Sequence, residues 1–240
     1  MERKRRSRGA CIFCDLTYTR VGMQRHLAAC PQRQTRLAQV DQQTGSVCLL
    51  FHLAVHAVSW PDYWLQLEAR GDAELADLDF YLRAIWLECC EHLSEFSIGG
   101  MCFTSTSDYA SGWKRDAEKG MNVQLQSVLS PGDTIRYRYD FGSTTELAIA
   151  VVDGRRGKPL SKNPIVLMAR NAPLPAECMA CGAPATFFCS ECRIEENLSG
   201  LVCDIHAREH YHNDYGSPDP LVSSPRVGIC GYTGPAEPPY

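Results

Sequence analysis

The sequence predicts an α+β fold in which an antiparallel sheet carries one long packed helix and is flanked by small zinc-binding modules. Three observations support this prediction: short strand patterns, one long helical stripe, and Cys/His clusters near both ends. With 240 residues, 45% of them hydrophobic and 22% charged, the chain can bury a core. We expect an arm and finger at 1–36, a core at 46–171 and a Cys/His-rich module at 176–235, with a polar linker at 37–46 and a second linker at 171–175.

Strand patterns recur along the central segment. Apolar strand-forming residues fill 46–57, and apolar and polar residues alternate in YWLQLEA at 63–69. TIRYRYD at 134–140 alternates in the same way and TELAIAVV at 145–152 follows a short turn, which predicts a hairpin. PIVLMAR at 164–170 predicts a further strand.

The one long helix is predicted from Ala73 to Phe96, with Asp72 as its N-cap. Apolar residues recur there at steps of three and four, which would place them on one face of the helix. These residues are Leu75, Leu78, Leu82, Ile85, Cys89, Leu93 and Phe96.

Charge is distributed unevenly over the chain. The formal net charge is −4, yet residues 1–36 contain nine Lys/Arg against Glu2 and Asp15. No apolar run is long enough to span a membrane, and the basic start leads into Cys11 rather than an apolar stretch. We therefore expect a cytoplasmic protein without a secretory signal. In that reducing compartment, the 13 cysteines indicate metal binding rather than disulfides.

The N-terminal cysteines and histidine have the spacing of a zinc finger, Cys11-x2-Cys14-x11-His26-x3-Cys30. Two thiolates on a tight turn, followed by His and Cys one helical turn apart, can close a tetrahedron around zinc. A segment of 30 residues cannot hold a core by itself, so a structural metal would explain how it folds.

A second cluster of ligand types fills the C-terminal region. Its members are Cys178, Cys181, Cys189, Cys192, Cys203, His206 and His210, with His212 and Cys230 nearby. A crossed arrangement would give one ion to the first two cysteines with Cys203 and His206. The other ion would take Cys189, Cys192, His210 and either Cys230 or His212. We thus expect two or three structural zinc ions in the whole chain, with the last ligand open among His210, His212 and Cys230.

The remaining cysteines and histidines have no obvious metal spacing. Cys48, Cys89, Cys90 and Cys102 lie in apolar or mixed surroundings and are interpreted as small buried apolar residues. His52, His56 and His92 fall on apolar elements and are interpreted as core histidines with satisfied hydrogen bonds.

The basic arm predicts contact with nucleic-acid phosphates through Arg5, Arg6, Arg20 and Arg25. A DNA-reading finger usually ends in two histidines and has about twelve residues between its ligand pairs. This finger ends in Cys30, and we do not expect it to read bases. A protein partner is the alternative for the finger and for the C-terminal module.

Four segments resemble the plasmid pRiA4b ORF-3-like family, proteins found with bacterial plasmids and insertion elements. They are YWLQLEA, LADLDFYLRAIWLECCEHLSEF, YRYDFGSTTELAI and SPRVGICGYTG, spread over about residues 45–235. The resemblance implies an α+β core and a bacterial or archaeal origin, but no demonstrated activity. Many members follow the YDFG turn with Trp and His, whereas this chain has Thr144, Thr145 and Glu146.

Catalytic fingerprints are not found in the sequence. It contains no P-loop, no dinucleotide fingerprint and no G-x-S-x-G motif, so no dinucleotide cofactor is expected. We expect a binding or adaptor protein of a mobile element rather than an enzyme. The alternative is a hydrolase-like enzyme that uses a polar groove at the hairpin, lined by Tyr137, Tyr139, Asp140 and Glu146. For Asp140 and Gly142, the simpler interpretation is a structural role in the turn.

Overall fold

The computed structural model describes residues 6–105, 118–212 and 214–238. Its strands are β1 (Arg8–Cys11), β2 (Thr17–Thr19), β3 (Cys48–Ala57), β4 (Trp64–Arg70), β5 (Ser94–Ile98), β6 (Met101–Thr104), β7 (Glu118–Gly120), β8 (Thr134–Tyr139), β9 (Thr145–Gly157), β10 (Ile165–Asn171), β11 (Phe187–Phe188), β12 (Leu201–Val202) and β13 (Asp219–Pro220). Its helices are α1 (Arg20–Ala29), α2 (Pro31–Asp41), α3 (Leu75–Leu82), α4 (Leu125–Val128), α5 (Ser190–Ile194) and α6 (Asp204–Glu209). None of the helices in these described ranges is long and apolar enough to cross a membrane.

Ten strands form one sheet in the order β2-β1-β10-β4-β3-β9-β8-β5-β6-β7. Neighbouring strands are antiparallel except for the parallel pair β6 and β7. The predicted α+β class with an antiparallel sheet is therefore confirmed. A separate small sheet, in the order β12-β11-β13, belongs to the C-terminal region.

The predicted hairpin is formed by β8 and β9, in register from Thr134 opposite Ala150 to Tyr139 opposite Thr145. Alternation along β8 buries Ile135, Tyr137 and Tyr139, because successive side chains of a strand point to opposite faces. The strands predicted at 46–57, 63–69 and 164–170 correspond to β3, β4 and β10.

The long helix predicted from Ala73 to Phe96 is wrong in its second half. α3 ends at Leu82, the chain continues as a π-helix over Arg83–Leu87, and Phe96 lies in β5. Phe96 fits the spacing of the predicted helical stripe only by chance, because it is buried as a strand residue opposite Tyr137. Glu91 has φ of 56°, which interrupts any helix in the intervening turn.

The start of α3 also differs from the prediction. Glu74 is the N-cap, and it forms a reciprocal capping box with Asp77. Asp72 pairs instead with Arg70 at 2.7 Å. The polar segment at 37–46 is helical up to Asp41, since α2 begins with Pro31 at its first turn and continues through it.

The sheet lies between two layers. α3 and the π-helix pack on one face, burying side chains such as Leu78 and Trp86 against Leu65 and its neighbours. Trp64 precedes Leu65 and therefore points to the other face, where it packs against Met23 and Leu27 of α1. The finger thus covers part of the second face of the core sheet.

Candidate metal centres

The side chains of the predicted N-terminal ligands come together between the end of β1 and the C-terminal end of α1. Cys11 and Cys30 are fully buried, and Cys14 Sγ lies 3.2 Å from His26 Nε2. The turn after Cys11 is tight because Asp15 N–H donates to the Cys11 carbonyl and Asp15 adopts φ of 59°. The four ligand atoms of Cys11, Cys14, His26 and Cys30 all lie within 4.8 Å of one another. These four residues form the finger cluster.

Burial shapes the chemistry of this cluster. It is the largest cause that raises the pKa of the Cys11 thiol, to about 12. A thiolate would form at neutral pH only beside a positive charge, such as a metal ion. The His26 ring is held in place by stacking on Tyr18, with ring centroids 4.4 Å apart.

The C-terminal ligand types form two clusters that alternate along the chain. The first contains Cys178, Cys181, Cys203 and His206. Cys203 is the N-cap of α6, which places His206 Nδ1 3.3 Å from its Sγ. Cys181 Sγ lies 3.8 Å from Cys203 Sγ, and Cys178 Sγ lies 3.6 Å from His206 Nδ1.

The second C-terminal cluster contains Cys189, Cys192, His210 and His212. Cys192 Sγ lies 3.2 Å from the Nε2 atoms of both histidines, which are 3.0 Å apart. The other ring nitrogen of His212, Nδ1, lies 3.2 Å from the Glu191 carboxylate. Such a carboxylate behind a ligating imidazole orients the ring of many metal-bound histidines. From the sequence, His212 and Cys230 are the alternatives for the fourth ligand of this cluster. The structure places His212 in the cluster, and Cys230 lies elsewhere.

The ligand-atom distances given for the three clusters are compatible with tetrahedral zinc. Zinc bonds of about 2.3 Å to sulfur and about 2.0 Å to nitrogen place two tetrahedral sulfurs about 3.8 Å apart. A sulfur and a nitrogen would be about 3.5 Å apart by the same geometry. The ligand-atom distances given above, from 3.0 to 3.8 Å, are close to these values. Each cluster can therefore hold one metal ion with side chains alone.

Cys230 lies in a fourth group, with Cys89, Cys90 and His92. Cys89 and Cys90 are interpreted from the sequence as small buried apolar residues. That interpretation is wrong for Cys90, which is exposed, while Cys89 is half-buried. The sequence signal for this group is the CCEH segment at 89–92. Its fourth member, Cys230, is 140 positions from Cys90 along the chain, so local spacing could not reveal the group.

The predicted phosphate-binding arginines are distributed around the finger. Arg6 and Arg20 line one cleft of about 370 Å³, together with Asp62. Arg25 is exposed further along α1, and Arg5 lies outside the described residues. Among the other arm residues, Arg33 is turned towards Glu68 of the sheet, 3.8 Å away.

The hairpin does not form the polar groove of the enzymatic alternative. Tyr137, Tyr139 and Asp140 are buried, and Glu146 pairs with Arg136 at 2.7 Å. Asp140 Oδ1 accepts the Gly142 amide at 2.9 Å, the turn contact expected from the sequence.

Two comparisons with known proteins find similarity to this chain. A crystal structure of a protein of unknown function from Methanosarcina mazei Go1 is similar at 18% identity, with a TM-score of 0.42, over 52% of this chain and 70% of that one. None of the curated proteins matches the chain. The family model of the plasmid pRiA4b ORF-3-like proteins matches residues 51–188, more than half of the sequence. The chain belongs to the plasmid pRiA4b ORF-3-like protein family.

Proposed function

We propose that this protein is a zinc-stabilised binding protein of a plasmid or mobile element that contacts nucleic acid through its N-terminal finger. The zinc ions have a structural role in this proposal. Thiolate and imidazole donors suit zinc, and a full set of four protein ligands leaves no coordination position for a substrate. The family membership supports the plasmid or mobile-element setting.

The observation that carries the nucleic-acid proposal is the pairing of Arg6 and Arg20 around one cleft. Burial, and in second place the charge of Arg6, lowers the pKa of Arg20. Within the described part of the chain, neither guanidinium has a carboxylate at ion-pair distance. Two neighbouring cations without an anionic partner favour an anionic ligand, and phosphate is the anion that arginine binds with two parallel hydrogen bonds.

Two neighbouring residues bear on this positive charge. Asp62 also lines the cleft and offsets part of the charge, and its Oδ1 accepts the Ser7 amide at 2.9 Å. His56 is close enough for the charge of Arg20 to contribute to lowering the pKa of its ring. Exposed Arg25 extends the positive surface along α1 towards solvent. A phosphate backbone could therefore follow the finger from the cleft towards Arg25.

The test is fluorescence anisotropy of labelled DNA and RNA, as duplexes and single strands, with the zinc-loaded full chain across a salt series. Each phosphate neutralised on duplex DNA contributes about −0.9 to the slope of log K against log salt. We expect Arg6→Ala with Arg20→Ala to weaken binding and to make the slope about 2 units shallower.

The matched control is a charge change far from the finger. Arg136→Ala removes an exposed arginine of the hairpin and should leave both affinity and slope unchanged. If the zinc-loaded protein binds no nucleic acid at low salt, or if Arg136→Ala weakens binding as much as the cleft variants, the proposal is wrong. A protein partner would then be the leading alternative for the finger.

A further inference from the structure

The turn between the π-helix and β5 has an unusual composition for an exposed connection. Residues 88–93 read ECCEHL, and Cys89, Cys90 and His92 project towards the C-terminal segment. There they meet Cys230, which adopts φ of 53° in a turn of its own. These four residues are named the clamp cluster.

The ligand atoms of the clamp cluster have metal-site spacing. Cys90 Sγ lies 3.7 Å from Cys230 Sγ, and His92 Nε2 lies 3.3 Å from the same sulfur. All four ligand atoms are within 4.8 Å of one another. These separations agree with the values of about 3.8 Å and about 3.5 Å expected around tetrahedral zinc.

The body of the protein holds this turn in position. Tyr139 Oη accepts the backbone N–H groups of Cys89 at 3.4 Å and His92 at 3.3 Å. The same hydroxyl donates to the Glu88 carboxylate at 3.1 Å. The turn therefore does not depend on a metal alone for its shape, and its ligands are oriented before an ion binds.

A buried cation accompanies the cluster. The Arg226 side chain is fully buried, and its Nε and Nη2 atoms both donate to Cys89 Sγ at 3.4 Å. Three thiolates and one neutral imidazole around Zn²⁺ carry one net negative charge. The guanidinium is also paired with Asp140 at 2.6 Å, so its charge is shared with that carboxylate, and its two hydrogen bonds orient the Cys89 sulfur.

From these observations we propose that Cys89, Cys90, His92 and Cys230 bind a further structural Zn²⁺ that fastens the C-terminal segment to the core. The site is additional to the three clusters described above. It joins two segments that are 138 positions apart at His92 and Cys230, whereas each of the other sites closes within its own module. Bound zinc would restrain the C-terminal segment against the π-helix and the hairpin turn.

The zinc count of the full chain provides the first test. Native mass spectrometry of protein purified with zinc and a reductant should show one ion fewer in Cys90→Ser and in Cys230→Ser than in the wild type. Cys48→Ser is the matched control, since this half-buried cysteine belongs to no cluster in the described ranges, and it should keep the wild-type count. Equal counts in all four proteins would overturn the proposal.

A second measurement needs no substitution and so does not depend on the variants folding. Cys90 and Cys230 are exposed, so iodoacetamide can reach both sulfurs when no metal covers them, and an alkaline buffer supplies the thiolate that reacts. We expect peptide mapping to show both thiols protected in the zinc-loaded wild type and reactive after a chelator is added. Equal reactivity before and after chelation, or a disulfide between the two residues in the reduced preparation, would contradict a zinc site.

Discussion

Arg226 and Asp140 form a buried ion pair, with Nη2 2.6 Å from Oδ2, that links the C-terminal segment to the hairpin turn. Arg226 Nη1 also donates to the Ser143 carbonyl at 2.9 Å and to Thr145 Oγ1 at 3.1 Å. The guanidinium lies 4.8 Å from the ring centroid of Tyr139. The segment around Arg226 is therefore packed into the core.

This ion pair predicts a large effect of losing either partner. Arg226→Ala would leave the buried Asp140 carboxylate without its guanidinium partner, and should lower the free energy of unfolding by about 3 to 5 kcal/mol. Urea unfolding of Arg226→Ala, of Asp140→Asn and of the double variant measures these losses of stability. The double variant should cost less than the sum of the singles, because the second substitution removes the unpaired charge.

The control for this cycle is Arg193→Ala, an exposed arginine of α5, which should change stability by no more than about 0.5 kcal/mol. If the two single substitutions are additive, the pair has no coupling energy. The contact would then not stabilise the C-terminal segment.

The sequence predicted those features that depend on short-range patterns. Alternation in TIRYRYD identified β8 and its buried face, and the four finger ligands are close in sequence. The helix prediction failed because Phe96 fits both a helical stripe and a strand, and only its pairing opposite Tyr137 decides between them. Secondary structure at such positions is decided by long-range contacts.

The choice of metal ligands shows the same limit. Spacing alone allowed either His212 or Cys230 beside Cys189 and Cys192, since both follow them in the chain. The distinction depends on where the C-terminal segment passes over the core, and the buried Arg226 determines that path through Asp140. No periodicity or motif reports a contact of that kind.

Removal of the metal should affect the modules far more than the core. With structural zinc ions absent, we expect faster amide hydrogen exchange in peptides covering 11–30 and 178–212, because segments this small need their ligand bonds to stay folded. Peptides of β3 and β9 should remain protected by the sheet. Unchanged exchange and an unchanged melting temperature in protein verified as metal-free would contradict a structural role of zinc.

Gly9 is expected to be essential for attaching the finger to the core. A Cβ atom at this position would lie 1.8 Å from the Arg170 carbonyl oxygen and 2.8 Å from the Trp64 ring. Gly9→Ala must therefore displace β1 from β10, and we expect a loss of about 1 to 3 kcal/mol in the free energy of unfolding. Amide hydrogen exchange measures this displacement, since the β10 amides that face β1 should exchange faster in the variant.

The comparison for Gly9 is Gly142→Ala, where the added Cβ would meet only an ordinary contact of 3.4 Å with Asp140. This variant should be close to the wild type in stability. Wild-type stability of Gly9→Ala would show that the β1–β10 pairing is more adaptable than the close approach suggests.

His56 should remain neutral well into the acid range. Burial, followed by the charge of Arg20, lowers the pKa of its ring to about 4, from about 6.5 in an unfolded chain. Between these values the unfolded state binds a proton that the folded state does not, so this group reduces stability as the pH falls from about 6.5 to 4. Ring resonances followed by NMR give the pKa directly.

Arg20→Ala provides the control for the His56 titration. Removing the nearby positive charge should raise the pKa of His56, while burial keeps it below the unfolded value. Titration of His56 near 6.5 in the wild type would contradict both effects. If Arg20→Ala left the pKa of His56 unchanged, the charge of Arg20 would have no effect on the His56 ring.

Asp79 anchors α3 to the sheet through a buried set of hydrogen bonds. Its Oδ1 accepts the Tyr137 hydroxyl at 2.7 Å and the Ser94 hydroxyl at 2.6 Å, and Arg83 lies 3.5 Å from Oδ2. Burial and the adjacent carboxylate raise the pKa of Tyr137 well above its usual value, so the phenol remains a donor. Tyr137→Phe should lower the free energy of unfolding by about 1.5 to 3 kcal/mol, the range for a hydrogen bond to a charged group.

Urea unfolding measures this loss, and exposed Tyr211→Phe is the matched removal of a hydroxyl that should have no effect. Ser94→Ala should cost a similar amount by itself. In the double variant the cost should exceed the sum, because Asp79 then keeps only the distant Arg83 as a charged partner in a site that excludes water. A Tyr137→Phe protein as stable as the wild type would mean that another donor replaces the phenol, and that α3 does not depend on this contact for its place on the sheet.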